Sequence, residues 1–223
     1  MASNGEFPTP KAILFDIGRV IVGVNVDRAA EPLGEAARTT AAELWRAIET
    51  DPRWPDWQEG RVTPREWHAH LAKRFGVGLG FEEFCALWNQ ALLPRTTLDE
   101  KLFAELGRQV RLALLSNTDP IHVAHLERSY SFLRHFPAAS RIYSCTVGAR
   151  KPNPKIYAQG IAACGVPASE ILYVDDVPEY VEAGKRAGMD AVQFAGAGEF
   201  LRELSDRGLV LETTKGRAGR KES

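Results

Sequence analysis

Cysteine is scarce in this chain of 223 residues: Cys85, Cys145 and Cys164 are the only three, at no spacing that suits a metal. That argues against a disulfide framework or a thiolate metal site, and makes a reducing cytoplasm the expected compartment. Net charge is also nearly absent, with 28 Lys and Arg against 29 Asp and Glu, so no nucleic-acid or acidic-membrane partner is implied. No apolar run approaches the length needed to span a bilayer. The stretch Met1 to Pro10 lacks the basic and apolar blocks of a secretory leader and reads as a disordered lead-in. With 44% hydrophobic and 26% charged residues, the composition is that of a globular protein able to bury a large core.

Against those absences stands one strong feature. Ala12-Ile13-Leu14-Phe15 is apolar without alternation, as in a strand buried on both faces, and it ends on Asp16 with Gly18 close behind. Three later strands end in polar residues in the same way. Val110–Leu115 runs into Ser116-Asn117, Ile142–Val147 precedes Lys151, and Ile171–Val174 ends on Asp175-Asp176. Ala191–Phe194 reads as a fifth strand. Helices are predicted between them over Leu98–Gln109, from Asp119-Pro120 towards Phe136, from Asn153-Pro154 to Gly165 and from Pro178 to Gly188. A last one covers Phe200–Leu204. Repeated βα units of this length predict an α/β fold, a doubly wound parallel sheet.

Residues 26–96 differ. Helical periodicity recurs at Ala41–Ile48, at Pro64–Leu71 behind a Thr63/Glu66 capping box, and over Phe81–Leu92. All five tryptophans lie here, with Trp54 and Trp57 assigned to a loop. Just before this section, Val20–Val24 reads as a hairpin or flap. The expected organisation is a core of residues 1–25 and 97–223 with a helical insert at 26–96, and a disordered tail at 213–223. Exposed aromatic surface on the insert is compatible with a monomer or a homodimer.

In a doubly wound sheet, ligands bind outside the carboxyl ends of the strands. That edge collects Asp16, Gly18, Ser116, Asn117, Lys151, Asp175 and Asp176. A carboxylate nucleophile attacking a phosphate dianion needs positive charge nearby, which Lys151 and a hard cation held by the aspartates would supply.

The four segments FDIGRV, LLSNT, RKPNPKIY and YVDDVPEY resemble, in order, the motifs of the haloacid dehalogenase superfamily, and the insert resembles its small helical cap. The details most resemble its sugar-phosphate phosphatase branch. The resemblance implies a Mg2+-dependent phosphohydrolase acting on a small phosphorylated metabolite, with Asp16 forming an aspartyl phosphate. It assigns Asp16, Asp176 and the Gly18 carbonyl to the metal with Asp175 in support, and Ser116 and Lys151 to phosphate, to which the placement of Asn117 and Gly18 on the same edge adds those two residues. Two positions depart from the pattern. Gly18 stands where most such phosphatases have a second Asp as general acid and base, and Tyr180 stands where Asp or Asn is usual. Two other readings remain: a metal-independent 2-haloacid dehalogenase, and a catalytically weak relative that binds phosphate esters. The histidines His68, His70, His122 and His125 read as surface or half-buried side chains.

Overall fold

The computed structural model describes residues 8–211; the lead-in before residue 8 and the 213–223 tail lie outside them. Five parallel strands form the main sheet: β1 (Ala12–Phe15), β4 (Arg111–Ser116), β5 (Arg141–Tyr143), β6 (Ile171–Asp175) and β7 (Asp190–Gln193), in the spatial order β5-β4-β1-β6-β7. A short antiparallel pair, β2 (Val22–Val24) with β3 (Leu92–Thr96), stands apart from it. The α/β class expected of the sequence is what the chain adopts.

Both faces of β1 are covered, which is why its sequence shows no alternation. Ile13 and Phe15 face one core cluster with Phe103, Phe136 and Phe200, while Ala12 and Leu14 face another with Ile156, Tyr157 and Val181. All four β1 side chains are fully buried. Truncating Phe15 to Ala would cost about 3–5 kcal/mol.

Between β2 and β3 run five helices: α1 (Asp27–Ala36), α2 (Ala41–Glu49), α3 (Trp54–Gln58), α4 (Pro64–Phe75) and α5 (Phe81–Trp88). They enclose a separate core built on Trp57, Trp67, Trp88, Phe84, Leu44 and Ile48. Trp57 and Trp67 stack with centroids 5.5 Å apart. Thr63 and Glu66 form the capping box at the start of α4, as their spacing implies. Several expectations need correcting. Trp54 and Trp57 lie in the short helix α3, with Pro55 tolerated in its first turn. Helix α5 stops at Trp88, and Leu92 instead enters β3. The exposed aromatic surface is missing, because the rings pack on one another and Val210 is the large hydrophobic residue left exposed among the described residues.

The remaining helices are α6 (Glu100–Leu106), α7 (Pro120–Ser129), α8 (Ser144–Val147), α9 (Pro154–Cys164), α10 (Pro178–Arg186) and α11 (Ala197–Asp206). Helix α7 does not reach Phe136. It ends where Tyr130 turns extended and its hydroxyl donates to the Leu93 carbonyl at 3.0 Å. The predicted strand Ile142–Val147 breaks at Tyr143, because the buried Ser144 hydroxyl bonds the backbones of Gln58 and Thr118 and starts α8. Gly184 lets α10 settle on the sheet, since a Cβ there would lie 2.4 Å from the Tyr173 ring. No helix of the described residues is long and apolar enough to cross a membrane.

Candidate active site

Strands β4, β1 and β6 are neighbours in register, with Phe15 opposite both Leu114 and Val174, so their carboxyl ends present Ser116, Asp16 and Asp175 side by side. The chain after α8 brings Lys151 across that edge. Its Nζ donates to Asp16 Oδ1 at 2.7 Å and to Asp175 Oδ2 at 2.6 Å. Lys151 is 1% exposed and Asp175 fully buried, so the bridge is screened from water.

The surrounding bonds hold this bridge in place. Asn117 accepts from the Lys151 amide at 2.7 Å through Oδ1 and donates to its carbonyl at 3.0 Å through Nδ2. These bonds tie its side chain to the Lys151 backbone, while the residue itself lines the same cavity. Asp175 accepts from the Tyr173 hydroxyl and from the Val177 amide in addition to Lys151. Both its oxygens are thus engaged. Tyr180, four residues after Asp176, lays its ring 5.2 Å from Lys151 Nζ. Tyr173 was not legible as a site residue, because its reach to Asp175 depends on the close approach that Gly184 permits.

Oxygens of Asp16, Asp175 and Asp176 lie within 4.8 Å of one another. Asp176 is half-buried, and its nearest cation is Arg19, at 3.9 Å. Burial, with the repulsion of Asp175 and Asp176 added, pushes the Asp16 carboxyl up to about 7 despite the pull of Lys151. Burial and Asp175 likewise raise Asp176. Burial opposes the charge of Lys151, yet Asp16 and Asp175 hold its ammonium above the ordinary lysine range. Three carboxylates around one ammonium leave surplus negative charge that a hard divalent cation would relieve. An all-oxygen donor set suits magnesium.

These groups floor a cavity of about 350 Å³. Gly18, Arg19, Ser116 and Asp176 lie around the floor, and the helical layer contributes Glu49, Trp54 and Gln58 to the opposite wall. Arg150 joins the two, donating to Gln58 Oε1 at 3.2 Å. Glu49 and Gln58 carried no motif signal, whereas Arg150 opens the RKPNPKIY segment without a role of its own being assigned to it. A buried network behind the wall was missed as well. Asp119 caps α7, accepts from the Trp88 indole at 3.0 Å and pairs with His122 Nδ1 at 2.9 Å. His122 is half-buried, within the expected range, and paired, as is His70, which meets the buried Asp51 at 2.8 Å.

Residues 10–188 match the family model for haloacid dehalogenase-like hydrolases. The chain belongs to that family. A D-ribitol-5-phosphate phosphatase of Bacteroides thetaiotaomicron is 28% identical to this hydrolase over 211 residues, 87% of this chain and 97% of that protein. A haloacid dehalogenase family enzyme of the same organism, solved in complex with magnesium and inorganic phosphate, shares the fold with a TM-score of 0.74 at 20% identity, over 84% of this chain and 96% of that one. An L-2-haloacid dehalogenase of Xanthobacter autotrophicus superposes with a TM-score of 0.60 at 21% identity, covering 96% of this chain and 90% of its own.

Proposed function

We propose that this hydrolase is a magnesium-dependent phosphomonoesterase for small phosphorylated metabolites, with Asp16 as the nucleophile. The observation that carries the reading is the buried Lys151 bridge between Asp16 and Asp175 at the floor of a polar cavity. Lys151 occupies one oxygen of Asp16 and leaves the other free to attack phosphorus. The ammonium and the Ser116 hydroxyl line the same cavity and would meet phosphoryl oxygens there, offsetting charge that builds up during transfer. Asp16, Asp176 and the Gly18 carbonyl would hold magnesium, which supplies charge screening between nucleophile and phosphate when bound. A carboxyl pushed up to about 7 is only part-ionised at neutral pH, so Asp16 gains nucleophilic form from any cation beside it.

The cavity supports the cap reading of the helical layer, since Glu49, Trp54 and Gln58 line it together with the core residues. Its size suits a substrate of sugar or polyol phosphate dimensions, in keeping with the ribitol-5-phosphate phosphatase relative. The dehalogenase reading is disfavoured by Asp176, an added negative charge that halide displacement does not need. Asp175 no longer counts against it, because Lys151 compensates that charge.

Turnover of 4-nitrophenyl phosphate, with magnesium and with excess chelator, tests the proposal. Activity that needs the metal and is lost in Asp16→Asn supports it. Halide released from 2-chloropropionate regardless of chelator refutes it, as does silence on every phosphate ester. A screen of phosphorylated metabolites, anomeric sugar phosphates included, then finds the substrate.

A further inference from the structure

In the phosphatase chemistry proposed above, on which this inference rests, two protons must move. One goes onto the departing alkoxide, and one leaves the attacking water. Nothing on the floor of the cavity is free to carry them. Gly18 has no side chain, Lys151 is held charged between two carboxylates, and both oxygens of Asp175 are bonded. Asp176 is assigned to the metal. Arg19, Arg150 and Gln58 do not exchange protons at neutral pH.

From the wall above, one carboxylate remains. We infer that Glu49, at the end of α2, is the proton carrier of this enzyme, supplied by the helical layer in place of a second aspartate on the core. Glu49 lines the same cavity as Asp16 and Gly18, and its side chain makes no hydrogen bond or ion pair with the described residues. Its backbone is well anchored. Ile48 before it is fully buried. Thr50 after it donates its hydroxyl to the Arg46 carbonyl at 2.7 Å. Two residues on, the buried Asp51 is tied to His70 at 2.8 Å and Arg74 at 3.2 Å. A side chain left free on a fixed backbone, lining the cavity that holds the reactive groups, is what a proton carrier requires. The charged groups facing the same space are Asp16, Asp176, Arg19, Arg150 and Lys151.

The steps balance as follows. The free oxygen of Asp16 attacks phosphorus while the ester P–O bond breaks, and the departing oxygen takes the proton of the Glu49 carboxyl. Water then attacks the phosphorus of the aspartyl phosphate and gives a proton to the Glu49 carboxylate. The P–O bond to Asp16 breaks, leaving inorganic phosphate, ionised Asp16 and protonated Glu49.

Three variants of the full chain, assayed with magnesium, decide the matter. In Glu49→Gln, kcat falls by roughly a hundredfold or more on the alkyl phosphate that wild type turns over best, with little change in KM. On 4-nitrophenyl phosphate, whose leaving group needs no proton, the same variant releases a burst of one nitrophenolate per enzyme and then slows, because only the second step lacks its base. Adding Gly18→Asp to Glu49→Gln recovers activity, since a Cβ at Gly18 meets only the Val24 side chain, at 3.5 Å. The inference is overturned if Glu49→Gln keeps the wild-type kcat, or if it loses activity through KM alone with no burst. It is equally overturned if Tyr180→Phe is the variant that shows the burst. Wild type inactive on every phosphate ester overturns the phosphatase reading and takes this inference with it, whereas an active wild type with a burst-free Glu49→Gln removes Glu49 alone.

Discussion

Replacing Asp16, the proposed nucleophile, with Asn should make the metal-free protein more stable, and the gain should depend on pH. Asp16 is 6% exposed, and its carboxyl titrates near 7 in the folded chain against an ordinary 3.8. Folding therefore favours its protonated form. The stability tied to that proton is fully present below the unfolded value and is lost as pH rises through about 7. A shift of about 3 units at 1.36 kcal/mol each amounts to roughly 4 kcal/mol lost by the wild type in mild alkali. Asn resembles the protonated acid and carries no such loss, while its amide oxygen can still accept from Lys151. At about 2–4 °C per kcal/mol for a chain of this size, Asp16→Asn should melt roughly 10 °C above wild type near pH 8. The gap should close as pH falls towards the ordinary carboxylate range. The assay is thermal unfolding followed by circular dichroism across that range in excess chelator. Magnesium should narrow the gap in mild alkali by binding wild type in preference. A variant that melts below wild type in alkali would refute the reasoning, because the attraction of Lys151 would then outweigh burial.

Lys151→Met should have the opposite effect, since it strands two buried carboxylates. A loss of about 3–5 kcal/mol is expected in urea denaturation near neutral pH, together with loss of phosphatase activity, and acid should soften the stability loss by neutralising Asp16. Asp119→Asn should weaken the joint between α5 and α7. His122 titrates above its usual 6.5 and Asp119 below its usual 3.8. The pair therefore contributes most between those ordinary values, fading as pH rises through the folded value of His122 or falls through that of Asp119, so the drop in melting temperature should be largest near about pH 5–6 and shrink in alkali. Gly60→Ala should push the helical layer off the core, because Gly60 sits at φ 71° and a Cβ there would lie 1.9 Å from the Cys145 carbonyl oxygen. Backbone strain alone should cost about 1–3 kcal/mol in thermal unfolding, and KM should rise as the cavity wall moves.

Much of this molecule could be read before folding, because the informative signals are local. Strand β1 shows by its unbroken apolar run that it is covered on both sides, and Asp16 ends it whatever the rest of the chain does. Thr63 with Glu66, Asp119 with Pro120, and Asn153 with Pro154 mark helix starts through bonds made within a few residues. Because topology follows from the order of such units, Asp16, Ser116, Lys151 and Asp175 could be placed on one sheet edge in advance.

The strand that breaks at Ser144 could not be foreseen, as that hydroxyl is satisfied by Gln58 and Thr118, far away in sequence. The helix at Trp54 was hidden by its prolines, and it forms where Trp57 can stack on Trp67. The sequence by itself determined the sheet, its order of units and the residues at its edge, since each depends on neighbours along the chain. Only the tertiary structure decided that Asn117 serves the Lys151 backbone, that Asp175 belongs to the lysine, and that Glu49 lines the same cavity as Asp16. Those three depend on distances between segments that no local pattern encodes.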